Sequence, residues 1–151
     1  MDSQSSSVAA ALTNPQLPGP ERSESGMSTD FVLYVEDNDD LRELVGELVT
    51  VVLRRQCVGV GSYEELVALG DEVLGCGVAI LDINLGGNRR SGIDAYTWLR
   101  HKGYTGRIVF LTGHASAHPL VVEAQRIGDA EIFSKPIDLG HLHSIVEGEG
   151  A

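Results

Sequence analysis

The sequence FVLYVEDND at residues 31–39 decides the fold, because an apolar run ends abruptly in two carboxylates, Glu36 and Asp37. Three later segments repeat this design, each with an apolar run followed by a polar residue of a specific kind. They are VAILDIN (78–84), IVFLTGH (108–114) and IFSKPID (132–138). Apolar strands that deliver polar residues at the same end are typical of a parallel α/β sheet with a site along one edge.

The polar residues at these strand ends form the candidate site, which comprises Glu36, Asp37, Asp82, Thr112 and Lys135. Carboxylates that meet at one edge repel each other unless a cation is shared between them, and oxygen ligands suit Mg²⁺. Taken singly, each residue has an ordinary explanation, since acids and hydroxyls often cap helices and lysines often lie on solvated turns. The order of all five along one predicted edge favours a functional site.

Strand-like and helix-like segments alternate from residue 31 onward. The predicted strands are 31–35, 56–60, 77–81, 108–111 and 131–133. The predicted helices begin near Asp39, Ser62, Gly92, Pro119 and Asp138. Five βα units of this length predict a flavodoxin-like (βα)5 fold, a doubly wound parallel sheet with strand order 2-1-3-4-5.

Two helices carry more detailed predictions. The first helix shows an apolar spacing that predicts one core-facing stripe, made of Leu41, Leu44, Val45, Leu48 and Val52. The second helix opens with Ser62 and Glu65, which have the spacing of a capping box.

The ends of the chain have a different composition from its middle. Residues 1–28 are rich in Ser, Pro, Gly and Ala without periodicity, which predicts a disordered segment. We expect a folded domain over 29–147 and a flexible tail over 148–151. Met27 lies just before the first strand, and we consider it a candidate for the true start.

Composition limits the class of protein. A formal net charge of −11 disfavours nucleic-acid binding, and the apolar runs are too short for a membrane span. We see no signal peptide and expect a cytoplasmic protein. Cys57 and Cys76 fall on strands that the first strand separates, so we expect no disulfide between them.

The motifs together resemble the receiver domain of two-component response regulators over roughly residues 31–147. VEDN resembles the acidic pair of that family, LDIN its phosphoacceptor, FLTGH its hydroxyl position and SKP its lysine–proline pair. The resemblance implies that Asp82 accepts a phosphoryl group from a sensor histidine kinase or a histidine phosphotransfer protein. It also implies Mg²⁺ bound by Asp37, Asp82 and the carbonyl of Asn84, with Glu36 acting through water.

The same resemblance gives roles to the remaining site residues. Thr112 would bond a phosphoryl oxygen and switch the adjacent loop, Lys135 would offset phosphoryl charge, and the Lys135–Pro136 bond would be cis. Such a domain is a phosphoryl acceptor with self-catalysed phosphorylation and dephosphorylation, not a turnover enzyme. The resemblance places kinase docking on the exposed face of the first helix and the loop after Lys135.

Some positions depart from the family pattern. Ile132 occupies a position that is often aromatic in the family, and alternation along the strand predicts that Phe133 points the opposite way. The loop after Asp82 is long and contains Arg89 and Arg90, which either attract an anionic donor, bind a carboxylate of a partner or are solvated. His114 lies where the family controls access of hydrolytic water.

Two other functions compete with the favoured one. We see no further domain after the last helix and expect a single-domain regulator that switches an unknown partner protein or relays phosphate. A phosphorylation-independent interaction module is the first alternative, although the complete set of polar residues argues against it. A phosphohydrolase is the second, and it would need a dedicated acid or base, for which His114 is a weak candidate.

Overall fold

The computed structural model describes residues 31–85, 90–113 and 118–147. Its strands are β1 (Phe31–Val35), β2 (Gln56–Val60), β3 (Cys76–Asp82), β4 (Arg107–Thr112) and β5 (Glu131–Ser134). Its α-helices are α1 (Asp39–Glu47), α2 (Tyr63–Ala68), α3 (Gly92–Lys102), α4 (Pro119–Ile127) and α5 (Leu139–Glu147). A π-helical turn (Leu48–Val52) extends α1, and a 3₁₀ segment (Gly70–Gly75) follows α2.

All strand pairs are parallel, and the order is β2-β1-β3-β4-β5, which confirms the predicted fold class. The alternation of side chains divides the core into two layers. One layer lies between the sheet and helices α2, α3 and α4, and it contains Leu66, Leu99 and Ala124. The other lies between the sheet and helices α1 and α5, and it contains Val45 and Leu142.

The prediction for the buried face of α1 was partly wrong. Val45 and Val49 are buried, whereas Leu44 and Val52 are exposed. The core stripe therefore runs through positions 41, 45 and 48/49. From Leu48 onward, the π-type hydrogen bond from the Leu53 N–H to the Leu48 carbonyl changes the helical phase, so a single 3.6-residue period misassigns Val52. Leu44 precedes this turn and lies at the solvent edge of the stripe, beside the buried Val45.

Helix starts follow local capping chemistry. The Ser62 hydroxyl accepts the N–H of Glu65, as predicted, but the Glu65 carboxylate accepts the N–H of Gly61, not that of Ser62. The complete capping box lies at α3 instead, between Ser91 and Asp94. These caps set where each helix leaves the edge of the sheet.

Some predictions concern the remaining parts of the chain. The predictions for residues 1–28, residues 148–151, Arg89 and His114 all fall outside the described residues. Cys57 and Cys76 lie on β2 and β3, with β1 between them, and both are free thiols. None of the described helices has the length and apolar character needed to cross a bilayer.

Candidate phosphorylation site

Three charged side chains lie on the same face of the sheet, at the edge formed by the carboxyl ends of the strands. Glu36 continues the side of β1 that carries Tyr34, Asp82 continues the side of β3 that carries Ile80, and Lys135 continues the side of β5 that carries Phe133. Tyr34, Ile80 and Phe133 all belong to the layer beneath α1 and α5. The two-residue period of each strand therefore carries all three charges to the same face of the sheet.

Lys135 connects the two buried acids of the site. Its Nζ lies 2.9 Å from Oε1 of Glu36 and 3.3 Å from Oδ1 of Asp82. Only 1% of Glu36 and 3% of Asp82 are exposed. These groups open onto a cleft of about 380 Å³ that brings together five predicted site residues, and its lining comprises Glu36, Asp37, Asn38, Leu41, Asp82, Asn84, Gly113 and Lys135.

The electrostatics separate the roles of the acids. Burial by itself raises the pKa of Glu36, but the Lys135 ammonium and the Asn38 N–H overcome it and hold that pKa below its usual value. Burial and the charge of Glu36 raise the pKa of Asp82 to about 7, although Lys135 opposes them. Burial and the Glu36 charge also raise the pKa of Asp37. The charged forms of Asp37 and Asp82 are therefore disfavoured by the nearby charge of Glu36, and a bound cation would relieve this repulsion.

The acidic cluster fits a hard divalent cation. One carboxylate oxygen each from Glu36, Asp37 and Asp82 lie within 4.8 Å of one another. Asn84 lines the same cleft, and its backbone N–H donates to Oδ1 of Asp82 over 3.3 Å. Oxygen donors around a partly open cleft, with room for water, match the coordination that Mg²⁺ prefers.

Thr112 lies on the other side of the sheet from the charged groups. It ends β4, only 3% of it is exposed, and its carbonyl accepts the N–H of Lys135 over 2.8 Å. Alternation puts its side chain on the side of Phe110, toward α2, α3 and α4. The Lys135–Pro136 bond is cis, as expected. The proposed contact of Thr112 with a phosphoryl group stays a prediction.

The departures from the family pattern are partly resolved. Ile132 packs in the layer of α2, α3 and α4, whereas Phe133 packs in the layer of α1 and α5, which confirms that the two point in opposite directions. The Arg90 guanidinium lies 4.7 Å from the centre of the Tyr63 ring. Arg90 thus ties the loop after β3 to the start of α2.

Sequence reasoning missed two residues that shape the site. A methyl group added at Gly92 would overlap the Asp82 carbonyl and lie 2.9 Å from Cα of Ile83, so α3 begins directly against the backbone at the end of β3. Arg42 donates from Nη1 to the carbonyl of Glu36 over 2.7 Å and from Nη2 to Asp39 over 2.6 Å. The Arg42–Asp39 spacing was visible in the sequence, but the contact with Glu36 was not.

This chain is similar to known receiver domains and to a transcriptional regulatory protein. The family model described as the response regulator receiver domain matches residues 32–147. The C4-dicarboxylate transport transcriptional regulatory protein DctR of Rhodobacter capsulatus is 29% identical over 117 residues, which cover 76% of this chain and 56% of that protein. The chain therefore spans little more than half the length of this relative.

Solved structures share the fold. The receiver domain of NtrX from Brucella abortus superposes with a TM-score of 0.67 at 22% identity, covering 78% of this chain and 95% of that one. A CheY-like receiver domain from Methylobacillus flagellatus gives a TM-score of 0.61 at 26% identity, covering 79% and 97%. This chain belongs to the receiver domain family of two-component response regulators.

Proposed function

We propose that Asp82 accepts a phosphoryl group from a phosphohistidine on a sensor histidine kinase or a histidine phosphotransfer protein. The observation that carries this proposal is the position of Asp82 in an open cleft, with the Lys135 ammonium 3.3 Å from its carboxylate and two further acids beside it. A buried carboxylate beside an ammonium group is suited to attack phosphorus, because the ammonium can stabilise the negative charge of the phosphoryl oxygens.

In the proposed transfer, a carboxylate oxygen of Asp82 forms a bond to phosphorus while the phosphorus–nitrogen bond of the donor breaks. The electron pair of that bond returns to the imidazole nitrogen, which takes up a proton from solvent. Lys135 offsets charge on the phosphoryl oxygens as they approach Asp82. Hydrolysis of the acyl phosphate later regenerates the carboxylate, so the domain acts as an acceptor and not as a turnover enzyme.

Asp37, Asp82 and the carbonyl of Asn84 would hold Mg²⁺, with Glu36 contributing through water. When bound, Mg²⁺ supplies positive charge that lowers the repulsion between these carboxylates and an incoming phosphoryl group. The raised pKa values of Asp37 and Asp82 support this assignment, since both acids are held in a site that disfavours their own charge.

Phosphorylation would then change a binding surface. In this proposal Thr112 moves to bond a phosphoryl oxygen, and the loop that follows β4 moves with it. The changed surface either binds a downstream protein or passes the phosphoryl group onward from Asp82. The acidic charge of the chain supports a protein partner over nucleic acid or a membrane surface. We place this partner in the cytoplasm as part of the same proposal. Action as a single-domain regulator stays a prediction.

The test is incubation with Mg²⁺ and acetyl phosphate, followed by phosphate-affinity electrophoresis. We expect the wild type to give a slowly migrating band that Asp82→Asn abolishes. Asp71→Asn is the matched control, since Asp71 is exposed on the 3₁₀ segment before β3, and it should behave as wild type.

Other outcomes select the other functions. If no donor gives a band, the domain is a phosphorylation-independent interaction module. Continuous release of phosphate over many turnovers would instead identify a hydrolase.

A further inference from the structure

Tyr34 carries a buried hydroxyl directly beneath the site. The residue is fully buried on β1, and its hydroxyl donates to Oε1 of Glu36 over 3.0 Å. Because the two residues are two positions apart at the end of a strand, both side chains lie on the same face. Burying a hydroxyl destabilises the folded protein unless the hydroxyl is hydrogen-bonded. The bond to Glu36 is therefore a specific feature of the site and not an accident of packing.

The Glu36 carboxylate is held at both oxygens. Oε1 accepts from the Tyr34 hydroxyl and from the Lys135 ammonium, and Oε2 accepts from the Asn38 N–H over 3.2 Å. A continuous chain of contacts therefore runs from Tyr34 through Glu36 and Lys135 to Asp82. Networks of this kind in a buried region fix the geometry of each member.

Lys135 depends on this chain for its position. Its side chain is 22% exposed, and the ammonium is carried on a flexible four-carbon stem. Packing alone therefore does not hold the ammonium at Asp82. Glu36 is the nearer of its two carboxylate partners, and Glu36 is in turn fixed by Tyr34. A phenylalanine at position 34 would fill the same space and leave this carboxylate with one donor fewer.

We propose that Tyr34 is a positioning residue for phosphoryl acceptance, and that its hydroxyl orients Glu36 so that Glu36 holds Lys135 at Asp82. This inference rests on the proposed function of Asp82. In this proposal Tyr34 acts through the Glu36 carboxylate, which accepts its hydroxyl.

The test compares the rate of phosphorylation by acetyl phosphate at saturating Mg²⁺ in two conservative variants. Tyr34→Phe should lower the rate about tenfold, the effect of losing one buried hydrogen bond to a charged group. Tyr104→Phe is the matched control, because Tyr104 is also buried and its hydroxyl donates to the Arg107 carbonyl at the opposite end of the sheet. The control should stay within about twofold of wild type, the scatter of a substitution far from the site.

A double-mutant cycle with Glu36→Gln shows whether the hydroxyl acts through Glu36. In the Glu36→Gln background, Tyr34→Phe should change the rate by less than about twofold, since the charge-assisted bond is already lost. The same cycle on the free energy of unfolding in EDTA should show the two substitutions to be non-additive. This second measurement needs neither metal nor phosphorylation.

The outcomes separate the two proposals. If the wild type is not phosphorylated, the proposed function fails, and additivity in the unfolding cycle then overturns the role of Tyr34 as well. If the wild type is phosphorylated but Tyr34→Phe matches Tyr104→Phe, the function stands and the positioning role is wrong. Equal effects of Tyr34→Phe with and without Glu36→Gln would also overturn it, because the hydroxyl would then act elsewhere.

Discussion

On the side of the sheet that packs against α1 and α5, the strands lead to Glu36, Asp82 and Lys135. On the side that packs against α2, α3 and α4, they carry Thr112 and, on the next strand, Ile132. The first side forms a connected set of charges, with Lys135 in contact with both acids. The second carries a hydroxyl and an aliphatic side chain. The comparison indicates that the charges proposed to act on the phosphoryl group and the residues at the proposed switch positions belong to separate layers.

The largest expected effect comes from breaking the charged side. Lys135→Met should lower the free energy of unfolding in EDTA by about 3 kcal/mol, because the buried Glu36 loses its cation. Thr112→Val, which removes a hydroxyl from the other side, should cost about 1 kcal/mol. Chemical denaturation of both variants measures the difference. Equal losses would show that the two sides are energetically alike.

A second prediction concerns α3, the helix that begins against the end of β3. Gly92→Ala should destabilise the domain by about 1–3 kcal/mol and slow phosphorylation, because the added methyl meets the backbone of Asp82 and Ile83. Gly46→Ala is the matched control, since no atom outside its own helix lies within 4 Å of the added methyl, and it should stabilise α1 by up to about 1 kcal/mol. Thermal unfolding and the phosphorylation assay give both results. A neutral Gly92→Ala would mean that α3 does not need this close approach.

The smallest expected effect concerns how much the buried charge of Asp82 destabilises the metal-free protein. The folded state raises the pKa of Asp82 to about 7 from an ordinary 3.8, so it binds more protons than the unfolded state between these values. The metal-free protein therefore loses stability as pH rises from about 4 to about 7. Asp82→Asn removes this loss, but it also removes the charge that pairs with the Lys135 ammonium, which offsets most of the gain. The net result should be a melting temperature in EDTA at pH 8 that is higher by about 4 °C, the equivalent of about 1 kcal/mol.

The same variant provides its own control through pH. At pH 5 the folded wild type already holds the Asp82 proton, so the difference between the two proteins should shrink. A constant difference at both pH values would show that packing, and not charge, separates them. Asp71→Asn, which alters an exposed acid at the opposite end of β3, should show no comparable stabilisation.

Most of the candidate site could be predicted because it depends on short-range patterns. Glu36 and Asp82 come directly after an apolar run, and Asp37 and Lys135 come one residue later. The ends of parallel strands meet at one edge whatever the details of packing. The contacts made by Gly92 and Arg42 could not be predicted in this way. They depend on how α3 and α1 lie against the sheet, and no period in the sequence encodes that placement.

The sequence by itself determined the five strands and the acidic and basic residues near their ends, because strand periodicity and βα connections follow local rules. The strand order was predicted from the fold class and confirmed by the structure. Only the tertiary structure decided which side of α1 is buried, that Gly92 rests on the acceptor strand, and that Tyr34, Glu36, Lys135 and Asp82 form one chain of contacts. Those features depend on distances between segments far apart in the chain, which are set when the two layers pack against the sheet.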